Sequence, residues 1–363
     1  MGERVVVAMS GGVDSSVAAL LLKRAGHEVI GAFMNNWEDE AGEEAACPAE
    51  ADWRDVRKVC ETLGIPYYAV GFAKEYRERV FDHFLDELKK GRTPNPDALC
   101  NREIKFDAFA AFARELGAAR FATGHFARLD RRGGEARLML SADPSKDQTY
   151  FLYMVGERAF RDALFPVGDL TKAEVRALAR EAGLPNGDKK DSTGICFIGE
   201  RKFKAFLMNY LPAQPGPIED SGGRRLGTHD GLMYYTLGQR RGLGVGGGIG
   251  NGKDGRRWFV VGKDLARNAL IVDSGEDTPA LYSSGAWVGA LHWVAGSPPS
   301  DSFDCEVRLR HRQPLQRARA AVRGDEMSLS FETPQRAVTP GQAAVVYLGE
   351  ECLGGGAVDA SIP

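Results

Sequence analysis

The sequence predicts an α/β domain built on a parallel sheet, followed by two small β-rich domains. Three observations carry this. Short apolar runs alternate with amphipathic stretches through the first two hundred residues, the pattern of a parallel sheet covered on both faces. Beyond about residue 208, glycine and turn residues become dense and apolar residues recur at every second position, which marks half-buried antiparallel strands. The 363 residues also suit two or three cores better than one. The boundaries fall at 1–208, 209–276 and 277–363.

Each element has its own signal. RVVVAM at 4–9 reads as a buried strand, 15–25 as a helix and 29–34 as a second strand. Residues 51–63 have helical period, and 67–70 form a short strand. In 75–90, Val80, Phe81, Phe84, Leu85 and Leu88 share one helical face that ends at Gly91. A further helix over 106–116 precedes a strand at 121–123. Thr171 and Glu174 have the spacing of a capping box, which opens a helix that stops at Gly183. In 303–310, Phe303, Cys305, Val307 and Leu309 alternate with Asp304, Glu306, Arg308 and Arg310, as in a one-sided strand.

Composition narrows the function. No apolar run approaches the roughly 18 residues that span a bilayer, and the first residues lack the features of a signal peptide. Six scattered cysteines without a CxxC pair disfavour a disulfide scaffold or a structural zinc site and fit a reducing cytoplasm. The formal net charge is −3, but it is uneven: −5 over 1–200, +5 over 201–276 and −3 over 277–363. A basic centre in an acidic chain suits either a polyphosphate partner or a solvated surface. The same two readings apply to Arg308, Arg310, Arg312, Arg317 and Arg319, which have no acid between them.

The sharpest local signal is Ser10-Gly11-Gly12-Val13-Asp14-Ser15-Ser16, between the first strand and the first helix. Glycines let backbone approach a phosphate, and the helix N-terminus offers unpaired N–H groups. The loop has no lysine and no GxxxxGK[ST] pattern, so it is not the usual γ-phosphate loop; GxGxxG is absent too. It resembles the SGGxDS signature of the N-type ATP pyrophosphatases, the PP-loop superfamily. That resemblance implies cleavage of ATP between its α- and β-phosphates, adenylation of a carbonyl oxygen, and Asp14 helping to hold Mg²⁺ or pyrophosphate.

Two cysteines lie in unusual segments. Cys100 follows Thr93-Pro94-Asn95-Pro96-Asp97, which the prolines stiffen. A helix beginning near Cys100 would favour its thiolate through the dipole, with Arg102 and Lys105 helping and Asp97 placed for proton transfer. Cys196 lies in a polar, glycine-punctuated stretch that reads as an exposed loop. Cys47, Cys60, Cys305 and Cys352 read as structural. The stretch Tyr150-Phe151-Leu152-Tyr153 reads as core. An adenylating loop with two reactive thiols suggests that C=O is converted to C=S by a persulfide.

With these residues in view, the chain closely resembles the tRNA-specific 2-thiouridylases (tRNA-uridine 2-sulfurtransferases) of bacteria and mitochondria. The match runs nearly end to end: SGGVDSS at 10–16, FMNNWEDE at 33–40, GRTPNPDALCNREIKF at 91–106, ATGHFAR at 122–128, KDQTYFL at 146–152, KKDSTGICFIGERKF at 189–203, GLMYYTLGQRRGLGVGG at 231–247 and TPGQAAVVY at 339–347. The resemblance implies a Rossmann-like adenine-nucleotide domain and a last domain that is a β-barrel. ATP would be held by Ala8, Met9, Ser10, Gly11, Gly12, Val13, Asp14 and Ser15, with Met34 and Gly124 near adenine. Cys196 would carry a persulfide from a sulfur-relay protein. Cys100 would attack it or close a disulfide with Cys196, and Asp97 would act as acid and base.

Asn95, Pro96 and Asp97 would meet the target uridine. Lys146, Asp147, Gln148, His125, Arg310, His311 and Gln342 would contact tRNA. The implied substrate is the wobble uridine of the tRNAs for Lys, Glu and Gln, bound by a single copy of the chain. One departure is visible: Asn35 follows Met34 where many relatives carry Lys. The competing reading is another PP-loop ligase or amidotransferase acting on an adenylated small molecule, which needs neither cysteine.

Overall fold

The structure is a computed structural model that describes residues 2–37, 48–190, 203–245 and 257–363. Its first sheet is wholly parallel. Strands β1 (Arg4–Met9), β2 (Glu28–Asn35) and β3 (Tyr67–Gly71) are linked by helices α1 (Val13–Arg24) and α2 (Pro48–Leu63). Helices α3 (Ala73–Tyr76) and α4 (Asp82–Lys89) flank a π-helical stretch, Arg77–Phe81, so the helix expected over 75–90 widens in its middle. Helix α5 (Pro96–Cys100) runs through a second π-helical stretch, Asn101–Ala108, into α6 (Phe109–Glu115). Strand β4 (Arg120–Ala122) follows, then the hairpin β5 (Arg128–Asp130) and β6 (Arg137–Met139), helix α7 (Glu157–Phe160), strand β7 (Ala163–Leu164) and helix α8 (Lys172–Glu181).

The sheet order is β3-β2-β1-β4-β7. The chain winds outward from β1 in one direction and then returns to its other side, so the topological switch lies between β1 and β4. Ligands of such sheets bind at that crevice, beyond the carboxyl ends of the strands. The sheet is apolar on both faces. Val6, Ala8, Ala32 and Met34 pack with α3–α6, whereas Val5, Val7, Met9 and Phe33 pack with α1, α2 and α8.

Helix α9 (Phe203–Met208) leads to a four-stranded sheet of β8 (Gly216–Asp220), β9 (Arg225–His229), β10 (Trp258–Asp264) and β11 (Ala269–Ser274), ordered β10-β11-β8-β9. Strands β11 and β8 are parallel, contrary to the antiparallel expectation. Alternating hydrophobicity reports one buried face, not strand direction.

Six further strands follow: β12 (Tyr282–Trp293), β13 (Ser302–Arg308), β14 (Gln316–Arg323), β15 (Glu326–Arg336), β16 (Ala343–Leu348) and β17 (Glu351–Ile362). They pair antiparallel in the order β12-β15-β14-β13-β16-β17 and close through β12–β17. This is the expected barrel, and the β5–β6 hairpin extends its sheet through β17–β6. Among the described residues no helix is long and apolar enough to cross a membrane.

Candidate active site

The Ser10–Ser16 loop stands at the switch point and is folded on its own hydroxyls. Ser15 Oγ donates to the Gly12 carbonyl at 3.1 Å and accepts from Ser10 N–H at 3.2 Å. Ser16 Oγ donates to the same carbonyl at 2.9 Å. Gly11 turns with φ +76°. No side chain caps α1 among these contacts, because Gly12 is the N-cap, so the first-turn N–H groups and the dipole face the crevice.

Gly124, just past β4, lies against this turn: a Cβ there would stand 2.5 Å from Ser15 N and 2.7 Å from the Asp14 carbonyl carbon. Met34 is buried at the end of β2, next to Phe33, which pairs with Met9. The structure thus brings the expected nucleotide residues 8–15, Met34 and Gly124 around the end of one strand.

Three residues outside that expectation complete the loop. Lys172, first in α8, places Nζ 2.6 Å from Asp14 Oδ1. Asn186 donates from Nδ2 to the Gly11 carbonyl and to Ser16 Oγ, both at 2.9 Å. Lys189 Nζ reaches Asp52 Oδ1 at 2.7 Å, Asp55 Oδ2 at 2.6 Å and the Gly11 carbonyl at 3.3 Å. Burial works against the charge on Lys189, but the two carboxylates outweigh it and raise its pKa. A loop with no lysine of its own therefore has two supplied from far along the chain. The only sequence signal was indirect: Lys172 sits inside the capping box, and Lys189 opens the motif that holds Cys196.

The helix bearing Cys100 begins earlier than expected. Asn95 is the N-cap, accepting from Ala98 N–H at 3.4 Å, and Pro96 occupies the first turn. Asn95 and proline at these positions start a helix well. Asp97 then lies in the first turn, and Cys100 is the fifth helical residue, beyond the reach of the terminal dipole. Cys100 is fully buried in the core beside Ala98, Leu99 and Ile104. Cys196 lies outside the described residues, as does Cys47. Cys60, Cys305 and Cys352 are buried; burial pushes the thiols of Cys60 and Cys305 up to about 12 and that of Cys352 higher. Such thiols are inert.

Just past the end of β2, Asn36 is 1% exposed, and neither atom of its amide has a hydrogen-bond partner among the described residues. A buried donor–acceptor pair left open beside a ligand crevice is suited to the edge of a base.

Residues expected to contact tRNA lie largely at seams within the molecule. His125 is buried between Phe106 and Phe165, with Nδ1 2.7 Å from Thr123 Oγ1. Burial, then Lys105, pushes its pKa well down, so the ring is neutral. Gln148 Oε1 accepts from Phe126 N–H at 2.9 Å, and Lys146 between them is half-buried. Asp147 is buried and pairs with Arg308 of the barrel at 2.8 Å. It also accepts from Thr149 Oγ1 and from Ser141 N–H.

Arg310 donates from Nη2 to the carbonyls of Leu237 and Ala337 at 2.8 and 3.2 Å, tying the central sheet to the barrel. His311 lies 4.5 Å from Phe151, ring to ring. Gln342 Nε2 donates to the Thr93 carbonyl at 2.7 Å. The arginine strip is not uniform: Arg308 is buried, Arg319 pairs with Asp304 at 3.0 Å, and Arg317 lies 3.8 Å from Glu332.

Three family models match consecutive parts of the chain: the tRNA methyl transferase HUP domain at 3–200, the tRNA methyl transferase PRC-barrel domain at 204–274 and the aminomethyltransferase beta-barrel domain at 283–358. The chain is 53% identical over 357 residues to the tRNA-specific 2-thiouridylase MnmA of Shouchella clausii, covering 98% of this chain and 96% of that one. It is 54% identical over 357 residues to the protein of that name in Alkaliphilus oremlandii, covering 98% and 97%. The corresponding figures for Bacillus subtilis are 54% over 358 residues, 98% and 95%.

Proposed function

The chain belongs to the tRNA-specific 2-thiouridylase family, and on that premise we propose that it converts the wobble uridine of the tRNAs for Lys, Glu and Gln to 2-thiouridine at the expense of ATP. The observation that carries this reading is the Ser10–Ser16 loop at the switch point, on the sheet that also supports the Cys100 helix. The open end of α1 receives phosphate, and Lys172, resting on Asp14, supplies the ammonium that the loop lacks, while Lys189 ties the Gly11 carbonyl to Asp52 and Asp55. Among the described residues no three His, Cys, Asp or Glu side chains gather as a metal cage. Asp14 alone fits Mg²⁺, which keeps its waters and substrate phosphates and needs only one or two carboxylates. Bound there, Mg²⁺ would neutralise charge on the pyrophosphate.

The uridine O2 attacks the α-phosphorus of ATP, and the α–β bond breaks to release pyrophosphate. Adenylation makes that oxygen a leaving group. The outer sulfur of a Cys196 persulfide, charged by a sulfur-relay protein, then attacks C2 and expels AMP. The Cys100 thiolate attacks Cys196 Sγ in the resulting C2–S–S–Cys196 linkage and breaks its S–S bond, which frees 2-thiouridine and leaves a Cys100–Cys196 disulfide for an external thiol to reduce. Asp97, in the first turn with Asn95 and Pro96, moves the proton at the base.

Incubation with ATP, Mg²⁺, unmodified tRNA and a persulfide donor is expected to yield pyrophosphate and thiolated tRNA. Pyrophosphate release with no sulfur on the tRNA, whatever the donor, would favour the ligase reading.

A further inference from the structure

Residues 91–93, which lead into the Asn95-capped helix, are held from both β-rich units. Lys263 on β10 donates from Nζ to the Gly91 carbonyl at 2.9 Å. From the barrel, the Pro340 carbonyl accepts from Thr93 N–H at 2.8 Å, and Gln342 Nε2 donates to the Thr93 carbonyl at 2.7 Å. Between them Arg92 donates from Nη2 to the Val358 carbonyl at 3.0 Å and to Asp359 Oδ1 at 2.8 Å. Three consecutive residues are thus each bonded to a unit outside the parallel-sheet domain. Pro94 and Pro96 follow immediately, and their fixed φ passes a displacement of 91–93 on to Asp97 instead of absorbing it. Burial lowers the Lys263 amine to about 8, a cost that a surface lysine does not carry.

We propose that Lys263 is a positioning residue for thiolation: with the Pro340–Gln342 turn it clamps residues 91–93 and so sets where Asp97 and Cys100 meet the bound uridine. This rests on the thiolation reading above and extends it, because it gives the central sheet a part in the chemistry separate from any RNA contact.

The test compares wild type, Lys263→Gln and Lys263→Arg in single-turnover thiolation at saturating ATP and tRNA, in tRNA filter binding and in urea melts. The Gln variant should react roughly tenfold slower or worse while tRNA Kd and ATP dependence stay within about twofold. The Arg variant, which keeps a donor, should recover most of the rate. An unchanged rate overturns the proposal, and so does a loss carried wholly by tRNA Kd, which would make Lys263 a phosphate contact.

Should Lys263→Gln fail to fold, Gly341→Ala tests the clamp from the barrel side. Gly341 has φ +89°, and a Cβ there would meet Thr93 N at 2.8 Å. The same slow rate with intact affinity is expected, and wild-type kinetics in that variant overturn the clamp. Wild-type protein that thiolates nothing would sink the functional reading itself, a result distinct from any of these.

Discussion

Lys172 Nζ and Asp14 Oδ1 lie 2.6 Å apart across 158 positions of sequence, with the lysine side chain only 12% exposed. The pair joins the start of α8 to the phosphate loop. In the proposed reaction the phosphates of an incoming nucleotide would compete with Asp14 for the ammonium and leave that carboxylate for a cation. Lys172→Met should therefore weaken ATP use. Losing a hydrogen bond to a charged group costs about 2 kcal/mol, roughly a thirtyfold fall in kcat/KM for ATP. Binding of tRNA should be unaffected. An ATP dependence equal to wild type would remove Lys172 from the nucleotide site.

The Asp147–Arg308 pair, with side chains 2% and 8% exposed, lies between the parallel-sheet domain and the barrel. Arg308 also covers the Tyr347 ring at 5.4 Å. Arg308→Met strands a buried carboxylate and should cost about 3–5 kcal/mol in urea unfolding. Asp147→Ala should cost more, since Thr149 and Ser141 lose their acceptor as well. The double variant should be much less destabilised than the sum of the two. Simple additivity would mean the charges are not coupled.

Asn36 calls for the opposite signature. Its buried amide has no partner among the described residues, so an apolar side chain of similar size relieves a penalty instead of creating one. Asn36→Leu should match or exceed wild type in thermal stability and yet thiolate poorly. A stable variant with full activity would show that the amide serves no substrate.

Much of this was legible in the chain. Strand–helix alternation gave the parallel sheet, and the Ser10–Ser16 spacing located its crevice, because both depend on local pattern. Lys172 and Lys189 were not legible, since their roles arise from contacts that only the folded sheet creates. Arg308 was illegible for the same reason: strict alternation correctly points it out of the barrel, away from Cys305 and Val307, but only the folded chain shows that Asp147 covers it there. The start of the Cys100 helix was missed because two prolines read as loop, although proline in a first turn is a helix signal.

His311 offers a pH test. Burial, then the neighbouring Arg312 and Arg308, lowers its pKa to about 4. The unfolded chain, near 6.5, binds the proton more tightly. Between about pH 4 and 6.5 the unfolded state thus carries more protons, and this residue's contribution to stability falls as pH falls through that window. His311→Phe keeps the ring against Phe151, 4.5 Å away in the parent, and removes the titration. The stability difference between pH 5 and pH 7 in urea melts should shrink in the variant; an undiminished difference would place the effect elsewhere.

In the proposed reaction Cys100 and Cys196 act only after adenylation, a division that can be measured. Adenylation needs the phosphate loop and the bound uridine but no sulfur, so tRNA-dependent pyrophosphate release should survive in both Cys100→Ser and Cys196→Ala. Cys196→Ala should accept no persulfide. Cys100→Ser should accept it on Cys196, visible as one added sulfur by mass spectrometry, and then fail to release 2-thiouridine from that cysteine. Serine is nearly isosteric, so the buried site loses little beyond the cost of placing a hydroxyl among Ala98, Leu99 and Ile104. Affinity for tRNA should be near wild type in both variants. Thiolated tRNA from the double variant would show that sulfur reaches C2 without either cysteine.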